Sequence, residues 1–224
     1  MEKYKILSSF HLKLIAMATM LIDHTGAVLL RNEIVLRYIG RISFPIYCFL
    51  LVEGYIYSKN IKAYLLRLGI FAVISEIPFD LAFYNQMFNW RNQNVFLTLF
   101  IGLLSLFAFN LCKNRAGFIF RFLGYAAVAL CAVAAKCLNT DYGFFGVISI
   151  FVIYLFRQET ILRAAAIILL NGFKSQIQLY AAGSLIPIAL YNGKKGYNSH
   201  IIKLAFYIFY PAHLMILFYI KNLS

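Results

Sequence analysis

Charged side chains are scarce in this 224-residue chain, at 13%, and acidic ones are scarcer still: eight Asp and Glu against 21 Lys and Arg. A soluble domain is nearer a quarter charged and half apolar, whereas 62% of these residues are hydrophobic and mean hydropathy is +0.77. So little polar surface cannot coat a water-facing globule of this size, which excludes a soluble fold and makes lipid the solvent for most of the chain. Linkers, Pro- or Gly-rich tracts, low-complexity runs and internal repeats are also missing, which implies one domain over 1–224. The four cysteines, Cys48, Cys112, Cys131 and Cys137, have no Cys-x-x-Cys spacing and no histidine at zinc-ligand spacing. They read as buried thiols, with no disulfide and no metal site. The first apolar stretch is interrupted by His11, Lys13, Asp23 and His24 and has no convincing small-x-small cleavage site after it. An uncleaved first span is expected.

The net charge of +13 raises nucleic-acid binding, but the basic residues fall mostly in short gaps between apolar runs, where membrane proteins keep them. Membrane lipids, and no nucleic acid, are the expected partners. A helix needs about 20 apolar residues to cross a bilayer. Candidate spans lie near 10–30, 38–57, 62–84, 95–112, 117–137, 142–156, 160–173, 177–192 and 201–220. The expectation is an all-α, polytopic transmembrane bundle of about nine spans, with eight as the alternative because the sixth and seventh are short. With the N-terminus in the cytoplasm, Lys3, Lys5, Lys59, Lys62, Arg67, Lys113, Arg115, Arg121, Arg157, Arg163, Lys194, Lys195 and Lys203 fall inside. Only Arg31, Arg37, Arg91, Lys136, Lys174 and Lys221 fall outside. That excess matches the positive-inside rule and predicts a multi-pass protein of the cytoplasmic membrane.

A charge near the bilayer centre costs roughly 2.5–3.5 kcal/mol or more, so a structural bundle has no use for one. The spans nonetheless contain Asp23, His24, Arg41, Glu53, Glu76, Asp80 and His213. At a rise of about 1.5 Å per residue, His24, Glu76 and His213 each lie about 18–21 Å from the inner edge. Asp80 is a turn further out and Arg41 is near the outer start of its helix. Six ionisable residues from four helices therefore converge in the outer half, and Glu53 belongs to the inner half. Glu76 and Asp80, four residues apart, share a helix face, and Pro78 between them predicts a kink. Asp23 and His24 are adjacent and point about 100° apart, so Asp23 pairs better with Arg41 and His24 with Glu76 or Asp80. The bland readings are an interhelical ion pair for Asp23–Arg41 and hydrogen-bonded packing for His24 and His213.

A histidine held by a carboxylate can take a proton from an attacking amine or hydroxyl, and an arginine can stabilise charge developing on a carbonyl oxygen. That set suits acyl transfer, and equally a proton-coupled transporter, whose pathway also needs buried His, Asp and Glu. The run Tyr191-Asn192-Gly193-Lys194-Lys195-Gly196 places two lysines between glycines, where backbone N–H groups and positive charge can meet a phosphate. A basic turn is the plainer reading.

Several stretches together resemble the TraX family, membrane proteins associated with N-terminal acetylation of conjugative pilin. They are Leu21-Ile22-Asp23-His24-Thr25-Gly26, Ile39-Gly40-Arg41-Ile42-Ser43-Phe44-Pro45-Ile46, Leu51-Val52-Glu53-Gly54 and Ser75-Glu76-Ile77-Pro78-Phe79-Asp80. Asn94-Val95-Phe96-Leu97-Thr98-Leu99, Asp141-Tyr142-Gly143, the 191–196 run and Phe209-Tyr210-Pro211-Ala212-His213-Leu214 complete the series. The family looks related to wider membrane acyltransferases, including the family-3 acyltransferases, in which a basic residue precedes a first-helix histidine by eleven positions. Lys13 and His24 have that spacing, with lysine in place of the usual arginine. The resemblance implies that His24 is the acyl-transfer base and that acetyl-CoA is the donor, entering from the cytoplasm past Lys13, Glu53, Lys194 and Lys195. Glu76 or Asp80 would orient His24, Arg41 with Asp23 would stabilise charge, and His213 would bind the acceptor or rival His24 as base. The acceptor, on the outer face, is a pilin or exported peptide, a glycan hydroxyl or a lipid. A proton-linked transporter and a scaffold for pilus or envelope assembly are the alternatives.

Overall fold

The computed structural model describes residues 5–223, so Lys3 lies outside the described residues. Long apolar runs with few prolines favour continuous helices, because in lipid each backbone polar group must be satisfied within its own segment. The order is α1 (Ser9–Val28), α2 (Ile34–Gly40), α3 (Ser43–Tyr57), α4 (Ile61–Tyr84), α5 (Val95–Lys113) and α6 (Phe118–Cys137). There follow α7 (Gly143–Leu155), α8 (Thr160–Lys174), a 3-10 segment (Gln176–Ser184), α9 (Leu185–Ala189) and α10 (His200–Leu223). No strand occurs among the described residues.

By length and composition, four stretches can cross a membrane: Ile34–Tyr57, Val95–Lys113, Phe118–Cys137 and His200–Leu223. With 20 and 24 residues, α1 and α4 are as long, but they carry charged residues on the faces that build the site. The thirteen residues of α7 and fifteen of α8 reach only about 20–22 Å, less than a hydrocarbon core of about 30 Å. The segment 177–192 is not the regular span its hydropathy suggests. It folds as the 3-10 run and the short α9, where Pro187 cannot supply the N–H that the Gly183 carbonyl would use in an α-helix.

Two other prolines shape the elements that matter. Pro45 has no N–H for the carbonyl of Arg41, and the stretch 34–57 breaks there into α2 and α3, joined through Arg41 and Ile42. Pro78 and Pro211 sit inside α4 and α10, within two residues of the buried polar groups those helices present. The main core draws on α1 (Leu12, Ala16, Met20), α3 (Ile46 to Val52), α4, α5, α7 and α10. Cys48 is buried and Cys112 and Cys131 are partly so, but Cys137, at the last position of α6, is exposed rather than the buried thiol expected.

Candidate polar site within the helical bundle

Near the end of α1, Asp23 is clamped by two arginines. Nη2 of Arg41 donates to Oδ1 at 2.5 Å, and Nη1 of Arg37 donates to Oδ2 at 2.9 Å and to the Asp23 carbonyl at 2.8 Å. Arg37 and Arg41 are one helical turn apart on α2 and its extension, so both guanidinium groups leave the same face. Gly40 lets that face come in: a Cβ there would overlap the Asp23 carboxylate. The Asp23–Arg41 pairing expected from the sequence is present, and Arg37, which the positions of the apolar runs put in an outer loop, is a second partner of Asp23. Its four-residue spacing from Arg41 was the available signal.

Across α1, His24 is 8% exposed and His213 on α10 is 4% exposed. Nδ1 of His24 and Nε2 of His213 are 2.7 Å apart, and Nδ1 of His213 lies 2.7 Å from the Phe209 carbonyl oxygen. Phe83 stands edge-on to His24 and Tyr210 edge-on to both histidines, while the Phe209 ring lies nearly parallel to His213. The carboxylate expected to orient His24 does not hydrogen-bond to it; His213 holds that place. The reason lies on α4, where Phe83 meets the His24 ring and the two acids turn away toward the connection into α5.

There, Glu76 accepts from the backbone N–H and the side-chain amide of Asn94, and Asp80 accepts from the backbone N–H of Asn89 at 2.7 Å. Asn94 is fully buried, caps α5 by accepting from Phe96, and donates to the Ala72 carbonyl at 2.7 Å. Glu76 and Asp80 do share a face, as their spacing requires, but it serves the 89–94 connection. Glu76 Oε1 and Asp80 Oδ1 are buried with no hydrogen-bond partner among the described residues. The six residues expected to converge thus form an Asp23–Arg37–Arg41 cluster beside the His24–His213 pair, with Glu76 and Asp80 as a separate acidic pair at the same end of the bundle.

The opposite end holds the remaining candidates. Glu53 accepts from Arg157 at 3.3 Å, and Arg157 also donates to the Tyr57 hydroxyl. Lys13 sits over the Phe206 ring at 4.9 Å. The carbonyls of Lys194 and Lys195 accept from the first amides of α1, Ser9 at 2.8 Å and Phe10 at 3.1 Å. Those are orphan donors that any helix start must satisfy. The loop therefore offers carbonyls to α1, the Lys194 N–H is taken by Asn192 Oδ1 at 2.9 Å, and the two lysine side chains are exposed. Gly193 and Gly196 both have positive φ, 76° and 68°, the conformation glycine adopts without strain. No group of three or more His, Cys, Asp or Glu side chains is placed to hold a metal among the described residues.

Apolar helices around a buried cluster of ionisable side chains define a helical integral membrane protein with a polar site inside its bundle. The family model described as TraX protein matches residues 8–221, and the chain belongs to that family. It is 31% identical to the Dichelobacter nodosus protein described as probable fimbrial assembly protein FimC, serogroup H1, across 94% of this chain and 94% of that protein. No solved structure matches it.

Proposed function

We propose that this protein is an acyltransferase of the cytoplasmic membrane that moves an acetyl group from acetyl-CoA to an acceptor on the outer face. The reading keeps the N-terminus inside and the nine alternating segments of the sequence, with α7, α8 and the 177–192 segment packed against neighbouring elements rather than crossing as full-length spans. The observation that carries it is the buried His24–His213 pair, a proton acceptor among aromatic rings, one residue along α1 from the Asp23 that Arg37 and Arg41 clamp. His24 takes the proton of the acceptor amine or hydroxyl as its nitrogen or oxygen adds to the thioester carbonyl. Arg41, held by Asp23, stabilises the oxyanion; the C–S bond then breaks and the CoA thiolate leaves toward the cytoplasm. The basic end formed by Lys13, Lys194 and Lys195 suits the phosphates of the donor, and Glu53 with Arg157 lines the same end. A groove of about 660 Å³ between α2 (Ile34, Tyr38) and the 3-10 segment, on the helix that carries Arg37, suits entry of an outer-face acceptor. The fimbrial assembly protein among its relatives favours a pilin or another exported peptide over a glycan or lipid.

A second reading has its own support: the spare buried oxygens of Glu76 and Asp80 suit a proton-linked transporter. Purified protein in liposomes distinguishes the two. Acyl transfer predicts acetyl label passing from acetyl-CoA to a supplied pilin peptide without any ion gradient. Gradient-driven solute uptake with no consumption of acetyl-CoA would replace it by the transporter, and neither activity would leave an assembly scaffold.

A further inference from the structure

In a hydrogen bond between two imidazoles, one nitrogen carries the proton and the other the lone pair. The direction follows here from the far end of the chain of bonds. A carbonyl oxygen can only accept, so Nδ1 of His213, 2.7 Å from the Phe209 carbonyl, must be protonated. In neutral imidazole the other nitrogen then holds the lone pair, so Nε2 of His213 accepts. Its partner at 2.7 Å, Nδ1 of His24, is therefore the donor. Neutral His24 is left with its proton on Nδ1 and a lone pair on Nε2, and no hydrogen bond among the described residues engages Nε2.

We propose that His213 is a positioning residue that locks His24 in the Nδ1–H tautomer and so presents Nε2 of His24 as the base atom. The word base rests on the acyl-transfer reading; the tautomer does not. The helix geometry makes the lock stiff. Phe209 and His213 are four residues apart on α10, so the ring nitrogen reaches a carbonyl of its own helix. The nearly parallel Phe209 ring at 4.7 Å packs against His213, Tyr210 stands edge-on to it, and Phe83 stands edge-on to His24. When Nε2 of His24 takes a proton from the acceptor, the Nδ1–H bond to His213 stays made and the new positive charge is shared along it. A carboxylate usually has this role beside a catalytic histidine; here a neutral imidazole anchored to a backbone carbonyl has it.

The test is nitrogen-15 NMR of histidine-labelled protein in lipid nanodiscs, with His24 assigned by its loss in His24→Ala. His11, bonded to Ser8 at the other end of α1, reports whether each variant is folded. Wild type is expected to show His24 protonated on Nδ1 alone. His213→Gln keeps that state, because its amide oxygen can accept from His24 while its NH2 donates to Phe209. His213→Leu releases it into a mixture of tautomers. With acetyl-CoA and acceptor supplied, His213→Leu lowers kcat on the order of a hundredfold with KM little changed, and His213→Gln restores most of it. A wild-type His24 protonated on Nε2, or an unchanged Nδ1–H state in a folded His213→Leu, overturns the proposal. Should His213→Leu fail to fold, the wild-type and His213→Gln spectra decide. Because the tautomer is read without substrate, absence of acyl transfer would overturn the enzymatic reading and leave the lock standing.

Discussion

Gly40 lies against the carboxylate of Asp23, so close that the smallest added side chain would occupy the space of Asp23 Cβ and Oδ1. The approach brings α2 near enough to α1 for Arg37 and Arg41 to take one carboxylate oxygen each. A helix-to-helix contact and an ion-pair cluster thus depend on the same missing methyl group.

Gly40→Ala is accordingly expected to cost about 1–3 kcal/mol, the range for overpacking a filled interior, and to splay the clamp. Thermal unfolding in detergent would reveal the loss. A variant as stable as wild type would mean that α1 and α2 do not meet this closely.

Removing Asp23 leaves two clustered arginines without their counter-charge, and breaking a buried pair typically costs about 3–5 kcal/mol. Asp23→Asn should therefore be strongly destabilising, and Arg41→Gln, which leaves Asp23 paired with Arg37, less so. Because they share one interaction, the double variant should lose clearly less than the sum of the two singles. Strict additivity in unfolding measurements would separate the residues.

The two glycines of the 191–196 loop should respond differently. Both have positive φ, but a Cβ at Gly193 meets nothing within 4 Å, whereas at Gly196 it collides with Ser8. Alanine at Gly193 costs only the left-handed backbone penalty, roughly 1–2 kcal/mol. At Gly196 it should also free the α1 amides of Ser9 and Phe10, giving faster hydrogen exchange there. Equal effects at the two positions would argue against the contact between this loop and the start of α1.

Topology has a direct probe in two native thiols. The nine-segment, N-inside arrangement places Cys112, near the end of α5, at the inner side and the exposed Cys137, ending α6, at the outer side. A membrane-impermeant maleimide added to intact cells should label Cys137 and spare Cys112 in single-cysteine variants. The reverse pattern would invert the proposed orientation.

Much of the site was legible because cost exposes it: charges in apolar runs stand out, and helical spacing alone put Glu76 and Asp80 on one face. Depth arithmetic also brought Asp23 and Arg41 together. What stayed hidden depends on packing across the bundle. His24 and His213 are 189 residues apart, and no local pattern says that an imidazole rather than a carboxylate fills the space beside His24. Arg37 reads as a loop cation when charges are only counted by side, and Asn94 as an ordinary cap until its amide is seen holding Glu76. The 3-10 course of Gln176–Ser184 was equally hidden, since the stretch 177–192 taken whole is apolar enough to pass for a span and backbone pairing is not written in its residue pattern.

The most direct test of the acyl-transfer account is release of free CoA from acetyl-CoA by the protein in lipid nanodiscs, with a pilin-like peptide supplied as acceptor. Wild type and His24→Ala would be compared, with donor binding followed in parallel. The account predicts that both bind acetyl-CoA while only wild type releases CoA, the variant falling by on the order of a hundredfold or more. Undiminished CoA release by a folded His24→Ala, or a wild-type protein that does not bind the donor at all, would contradict it.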